Sequence, residues 1–103
     1  MATKKAAEVA GAVVEVDGIT VTVMADVDDD YSIVEAAYVA RDPHASADEK
    51  TMATIRLYHT LLGGDYDRVM GELRERNGGR LPTSVVIGFM KRVVSGARAA
   101  KNS

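Results

Sequence analysis

Ala12-Val13-Val14-Glu15-Val16-Asp17-Gly18-Ile19-Thr20-Val21-Thr22-Val23 decides how the rest of the chain is read. Two five-residue runs rich in β-branched residues flank Asp17-Gly18, a pair that tolerates positive φ at both central positions of a type I′ turn, so the stretch predicts a β-hairpin. A two-residue turn pairs Val16 with Ile19, Val14 with Val21 and Ala12 with Val23, which puts these six on one face. Val13, Glu15, Thr20 and Thr22 take the opposite face. Because an isolated hairpin is marginal in water, the apolar face needs something to lie on.

Downstream, the sequence supplies helices for that purpose. The run Asp26-Val27-Asp28-Asp29-Asp30 suits a helix start, where carboxylates cap free amides and meet the positive end of the dipole. Tyr31, Val34 and Tyr38, with Ile33 and Ala37 beside them, form the expected inward stripe of a helix that stops near Arg41, ahead of Pro43. Ser46 and Glu49 form a capping box that opens a second helix, with Met52, Ile55, Tyr58, Leu61 and Leu62 inward and Gly63-Gly64 as its stop. Asp65 is expected to cap a third, short helix that turns Tyr66, Val69, Met70 and Leu73 inward and ends at Asn77-Gly78-Gly79. A fourth begins around Pro82 to Ser84 and runs to about Ala97. The expected fold is α+β, an N-terminal β-hairpin followed by about four helices, with no βαβ alternation. Residues 1–11 read as a flexible leader, 12–98 as a single domain and 99–103 as a flexible tail.

Composition limits the function. A chain of 103 residues with 47% hydrophobic and 27% charged content supports one core,. A net stability of about 5 to 10 kcal/mol leaves little room for a strained, polar active site. The absence of cysteine excludes disulfides and thiolate chemistry and suits a reducing cytosol,. No apolar run approaches the ~20 residues of a membrane span, and the stretch after Lys4-Lys5 lacks the apolar core of a signal peptide. Charge is divided unevenly: residues 1–64 carry five Lys and Arg against eleven Asp and Glu, whereas residues 65–103 carry eight against four. Such polarity can steer an acidic partner or favour self-association.

Candidate chemical sites fail one by one. Asp26, Asp28 and Asp30 match the first, third and fifth positions of a calcium loop, but Tyr31 stands where glycine is needed and Ala37 where a bidentate glutamate is needed. His44 and His59 lie in different elements without acids at metal-ligand spacing. No serine sits in a G-x-S-x-G elbow, and the glycine pairs match no nucleotide-binding pattern. The expectation is therefore a protein without catalytic residues, metal or cofactor. Arg74, Arg76, Arg80, Lys91, Arg92, Arg98 and Lys101 could meet phosphates, although few aromatics and a pI near 5.6 argue against nucleic acid,. The last helix carries a wide stripe, Val85, Val86, Phe89, Met90, Val93, Val94 and Ala97, interrupted by Gly88 and Gly96. More apolar surface than a thin domain hides makes Val86, Phe89, Met90, Val93 and Val94 the expected partner-binding face.

Several segments together resemble the tail assembly chaperones of long-tailed phages and prophages of high-GC Gram-positive hosts. They are the hairpin at 14 to 21, Asp29-Asp30-Tyr31, Leu61-Leu62-Gly63-Gly64-Asp65-Tyr66, Asn77-Gly78-Gly79-Arg80-Leu81-Pro82-Thr83 and the terminal Lys101-Asn102-Ser103. The resemblance implies a non-enzymatic helper in the host cytoplasm that binds the tape measure protein, keeps its long helices soluble and helps recruit tail tube protein. It also implies a frameshift-extended form, for which codons A-AAA-AAC at Lys101-Asn102 would be the slippery site. Tyr58-His59 is more polar than the family pattern. The alternative reading is a small phage or mobile-element regulator that binds nucleic acid through its basic C-terminal half.

Overall fold

The computed structural model describes residues 11–23 and 29–101. The expected leader apart from Gly11, most of the acidic run and the last two residues lie outside that range. The hairpin forms as read, β1 at Ala12–Val16 and β2 at Ile19–Val23, antiparallel with Val16 opposite Ile19, Val14 opposite Val21 and Ala12 opposite Val23. Asp17 at φ 53° and Gly18 at φ 81° supply the two left-handed residues of the turn,. The apolar face closes against helices: Val14, Val16, Ile19, Val21 and Val23 are all buried.

Four α-helices follow: α1 at Tyr31–Arg41, α2 at Ala47–Leu62, α3 at Tyr66–Arg76 and α4 at Thr83–Lys101. α2 stops at Leu62 with Gly63 as its C-cap, as expected, but a single 3-10 turn, Gly63–Asp65, then leads straight into α3 with no intervening loop, so the helical residues fall into three continuous stretches. Gly63 adopts φ 52°, which changes direction without opening a loop,. Helix starts follow local chemistry. The Asp30 carboxylate accepts the Ser32 amide at 2.9 Å and caps α1. At α2, Ser46 Oγ accepts the Glu49 amide at 3.0 Å while Glu49 Oε1 accepts the Ser46 amide at 2.7 Å,. Extended backbone at Asp42 ends α1 ahead of Pro43,. At the end of α3 the Gly79 amide donates to the Arg74 carbonyl at 2.9 Å, closing the helix through left-handed Gly78,. α4 continues to Lys101, past the end expected near Ala97.

The core joins the hairpin's apolar face to Ile33 of α1, Leu61 and Leu62 of α2, Val69, Met70 and Leu73 of α3, and Phe89, Met90 and Val93 of α4. α4 lies along β1, whereas α1 packs chiefly on α2.

Two of the expected helix faces are corrected. In α1 the buried residues are Ile33 and Ala36, while Tyr31, Val34 and Tyr38 are exposed. α1 approaches α2 through a side rich in alanine, which lets two backbones come close, and its bulky side chains are left on the far side. In α2 the buried residues are Ala53, Leu61 and Leu62, and Met52 and Ile55 are exposed. Ala53 belongs to the same close approach.

Candidate protein-interaction surface

The stripe expected to bind a partner through α4 is largely core. Phe89 and Val93 are 0% exposed and Met90 is 1% exposed, while Val86 and Val94 are partly buried against the same cluster. The expectation of an uncovered α4 face is thereby corrected. Five apolar hairpin residues on one side and Val69, Met70 and Leu73 of α3 on the other supply enough surface to cover it. The hairpin, with Val14, Val16, Ile19, Val21 and Val23 all buried, contributes more cover than a thin two-stranded layer suggests.

The apolar surface that stays open lies elsewhere. Tyr31 is 75% and Tyr38 71% exposed, with Val34 between them. At 100° per residue, positions 31, 34 and 38 fall on one stripe, directly opposite the Ile33 and Ala36 side that meets α2,. Met52 and Ile55 add exposed apolar groups on α2. A shallow open depression of about 340 Å³ lies between the two helices, lined by Val39, Asp48, Glu49, Met52, Ala53 and Arg56.

Polar side chains make a second pattern, a clamp on the hairpin. Arg92 of α4 meets the Asp17 carboxylate at 2.6 Å, and Arg76 of α3 donates to the Asp17 carbonyl. Arg68 of α3 donates to the Thr20 carbonyl at 2.7 Å and pairs with Asp65 at 3.2 Å. Asp65 does not cap α3 as expected; its carboxylate accepts the Thr22 amide at 3.1 Å. That hydrogen bond, reinforced by Arg68, holds the Asp65 carboxyl below its ordinary value of 3.8 against a smaller opposing effect of desolvation. A carboxyl whose folded pKa is depressed stabilises the fold above the unfolded pKa and ceases to do so as pH falls through the folded one. Asp65→Asn is therefore expected to lower stability at pH 7, and its difference from wild type is expected to shrink as pH falls below 3.8,. Urea unfolding across that range reads this directly; an unchanged difference would mean that the carboxylate's charge contributes nothing.

Several sequence candidates are not brought together. His44 is exposed in the loop after α1, and exposed His59 stacks on Tyr66 with ring centroids 3.5 Å apart. Burial raises the pKa of the neighbouring Tyr58 hydroxyl, so it stays neutral at physiological pH. Among the described residues no group of three or more His, Asp or Glu could hold a metal ion, and no polar or charged side chain is buried. No described helix is long and apolar enough to cross a membrane. Of the basic residues named from sequence, Arg76 and Arg92 serve the clamp, while Arg74, Arg80, Lys91 and Arg98 are exposed.

No family model, curated protein or solved structure matches the chain. Function therefore rests on the chain's own residues and on the resemblance of its motifs.

Proposed function

We propose that this chain is a non-enzymatic phage tail assembly chaperone that holds an amphipathic helix of the tape measure protein against the outward face of α1 in the host cytoplasm. The observation that carries the reading is the exposed Tyr31, Val34 and Tyr38 stripe. Its spacing of three and then four residues is that of a coiled-coil seam, whose natural partner is another helix with the same repeat. Tyrosine adds large, rigid contact area with a polar tip that water accepts in the free state. A tape measure protein, as the resemblance describes it, offers long helices that need such cover, and recruitment of tail tube protein would follow from the same complex.

The test is co-expression of the full chain with a tape measure protein. Tyr31→Ser with Tyr38→Ser is expected to reduce recovery of the complex by at least tenfold while the thermal midpoint moves by only a few degrees, because both side chains are already largely in water. Full recovery with the double variant would overturn the assignment to α1. Binding of DNA or RNA that falls steeply with salt, together with no recovery of the helical partner, would favour the regulator.

A further inference from the structure

The two edges of the hairpin differ. A two-residue turn makes Val16–Ile19, Val14–Val21 and Ala12–Val23 the hydrogen-bonded pairs, so the amides and carbonyls of Thr20 and Thr22 point away from β1, and those of Val13 and Glu15 point away from β2,. On the β2 edge both central groups are taken by side chains of the α3 entry: Arg68 donates to the Thr20 carbonyl and Asp65 accepts the Thr22 amide. Asp65 and Arg68 thus stand where a neighbouring strand's carbonyl and amide would stand. On the β1 edge, among the described residues, no hydrogen bond reaches the outward groups of Val13 or Glu15. Val13 is also the most exposed apolar residue of the hairpin, at 68%.

We propose that β1 pairs with β1 of a second copy, antiparallel and across a two-fold axis at Val13, to make a four-stranded sheet. Three observations select this occupant. The closed β2 edge ends the sheet at two copies, which gives a closed dimer rather than a growing fibre. Charge then chooses the register. Of the two registers centred on an outward-facing residue, an axis at Glu15 would set that carboxylate against its own copy, whereas an axis at Val13 sets Val13 against Val13 and leaves Glu15 at the end of the paired segment, where Gly11, at φ 73°, turns the chain out of the strand. The second arrangement makes a favourable β-branched pair and avoids the like-charge one. On the inner face the same register brings Val14 opposite Ala12, continuing the apolar surface that α4 covers. The formal net charge of -2 opposes association of two copies only weakly,. An edge of five residues buries far less than the roughly 1,600 Å² of a standard stable interface, so the dimer is concentration-dependent. This pairing uses a surface separate from the α1 stripe and stands or falls independently of the chaperone reading.

Sedimentation equilibrium of the full chain from about 10 μM to 1 mM tests it, alongside amide exchange at Val13 and Glu15. The expected result is a mass rising towards twice the 11.0 kDa of one chain, with exchange of those two amides slowing in step. Val13→Pro removes the outward amide without touching the hairpin's own ladder, and Val13→Lys places a charge against its own copy across the axis. Each is expected to hold the chain monomeric over the whole range. Should the proline variant fail to fold, the lysine variant and wild-type exchange decide. A wild type monomeric at 1 mM would overturn the proposal, and so would a dimer that survives Val13→Lys or leaves both amides exchanging at the monomer's rate.

Discussion

Phe89→Asp combined with Val93→Asp is expected to abolish cooperative folding, not merely to weaken binding. Both side chains are completely buried, between the hairpin's inner face and α3. Truncating a buried phenylalanine alone costs about 3 to 5 kcal/mol. Each aspartate adds the cost of an unpaired polar or charged group in an apolar site, at least about 2 kcal/mol more. Together these come to at least about 7 to 9 kcal/mol before the loss of the Val93 side chain is added, as much as the about 5 to 10 kcal/mol available to a domain of this length. The variant should show no sigmoidal thermal or urea transition by circular dichroism and should have lost its protected core amides. Phe89→Ala is expected to retain a transition at a much lower midpoint. A double variant that melted cooperatively with wild-type helix content would mean that α4 does not pack as described, and the partner face would return to it.

That reversal of roles between α1 and α4 shows where sequence reading runs out. The hairpin was legible to its register because two local signals agree: alternation of period two, and a turn pair that takes positive φ,. The α2 start was legible because its capping box is a four-residue pattern that closes on itself,. The buried side of α1 was not, because Tyr31, Ile33, Val34, Ala36, Ala37, Tyr38, Val39 and Ala40 leave apolar groups nearly all round and periodicity selects no side. What selects it is a packing preference for small residues against α2, and that depends on α2. Asp65 was misread for a related reason. Its position before a helix is that of a cap, but its hydrogen-bond partner, Thr22, lies 43 residues away. Asp17 likewise looks like a turn residue and nothing more until Arg76 and Arg92 meet it from α3 and α4. Asp17 belongs to the acidic half and Arg76 and Arg92 to the basic one, but that division does not say which residues meet. Interaction surfaces built from exposed residues carry weak sequence signals in general, since a helix face turned to solvent and one turned to the core can share a composition.

Gly96→Ala and Gly88→Ala are expected to shift stability in opposite directions, although each removes a glycine from the same helix. Both substitutions gain up to about 1 kcal/mol of helix propensity. At Gly88 the nearest atom to an added Cβ is the Arg92 guanidinium at 3.6 Å, an ordinary contact with a flexible side chain. That gain should survive and raise the thermal midpoint by a few degrees. At Gly96 an added Cβ would lie 2.7 Å from a Val14 methyl, inside any tolerable contact. Val14 cannot readily withdraw: its χ1 is restricted by branching and its strand is held in register between Val21 and α4,. α4 must therefore shift away from β1, and overpacking of this kind costs about 1 to 3 kcal/mol, enough to outweigh the propensity gain. Because the clash is with one residue, the double-mutant cycle with Val14→Ala separates its cause. In that background Gly96→Ala should cost nothing or turn stabilising, whereas Gly88→Ala should act as it does in wild type. Equal effects of Gly96→Ala in both backgrounds would place the cost somewhere other than the approach of α4 to β1, the contact that holds the last helix on the hairpin.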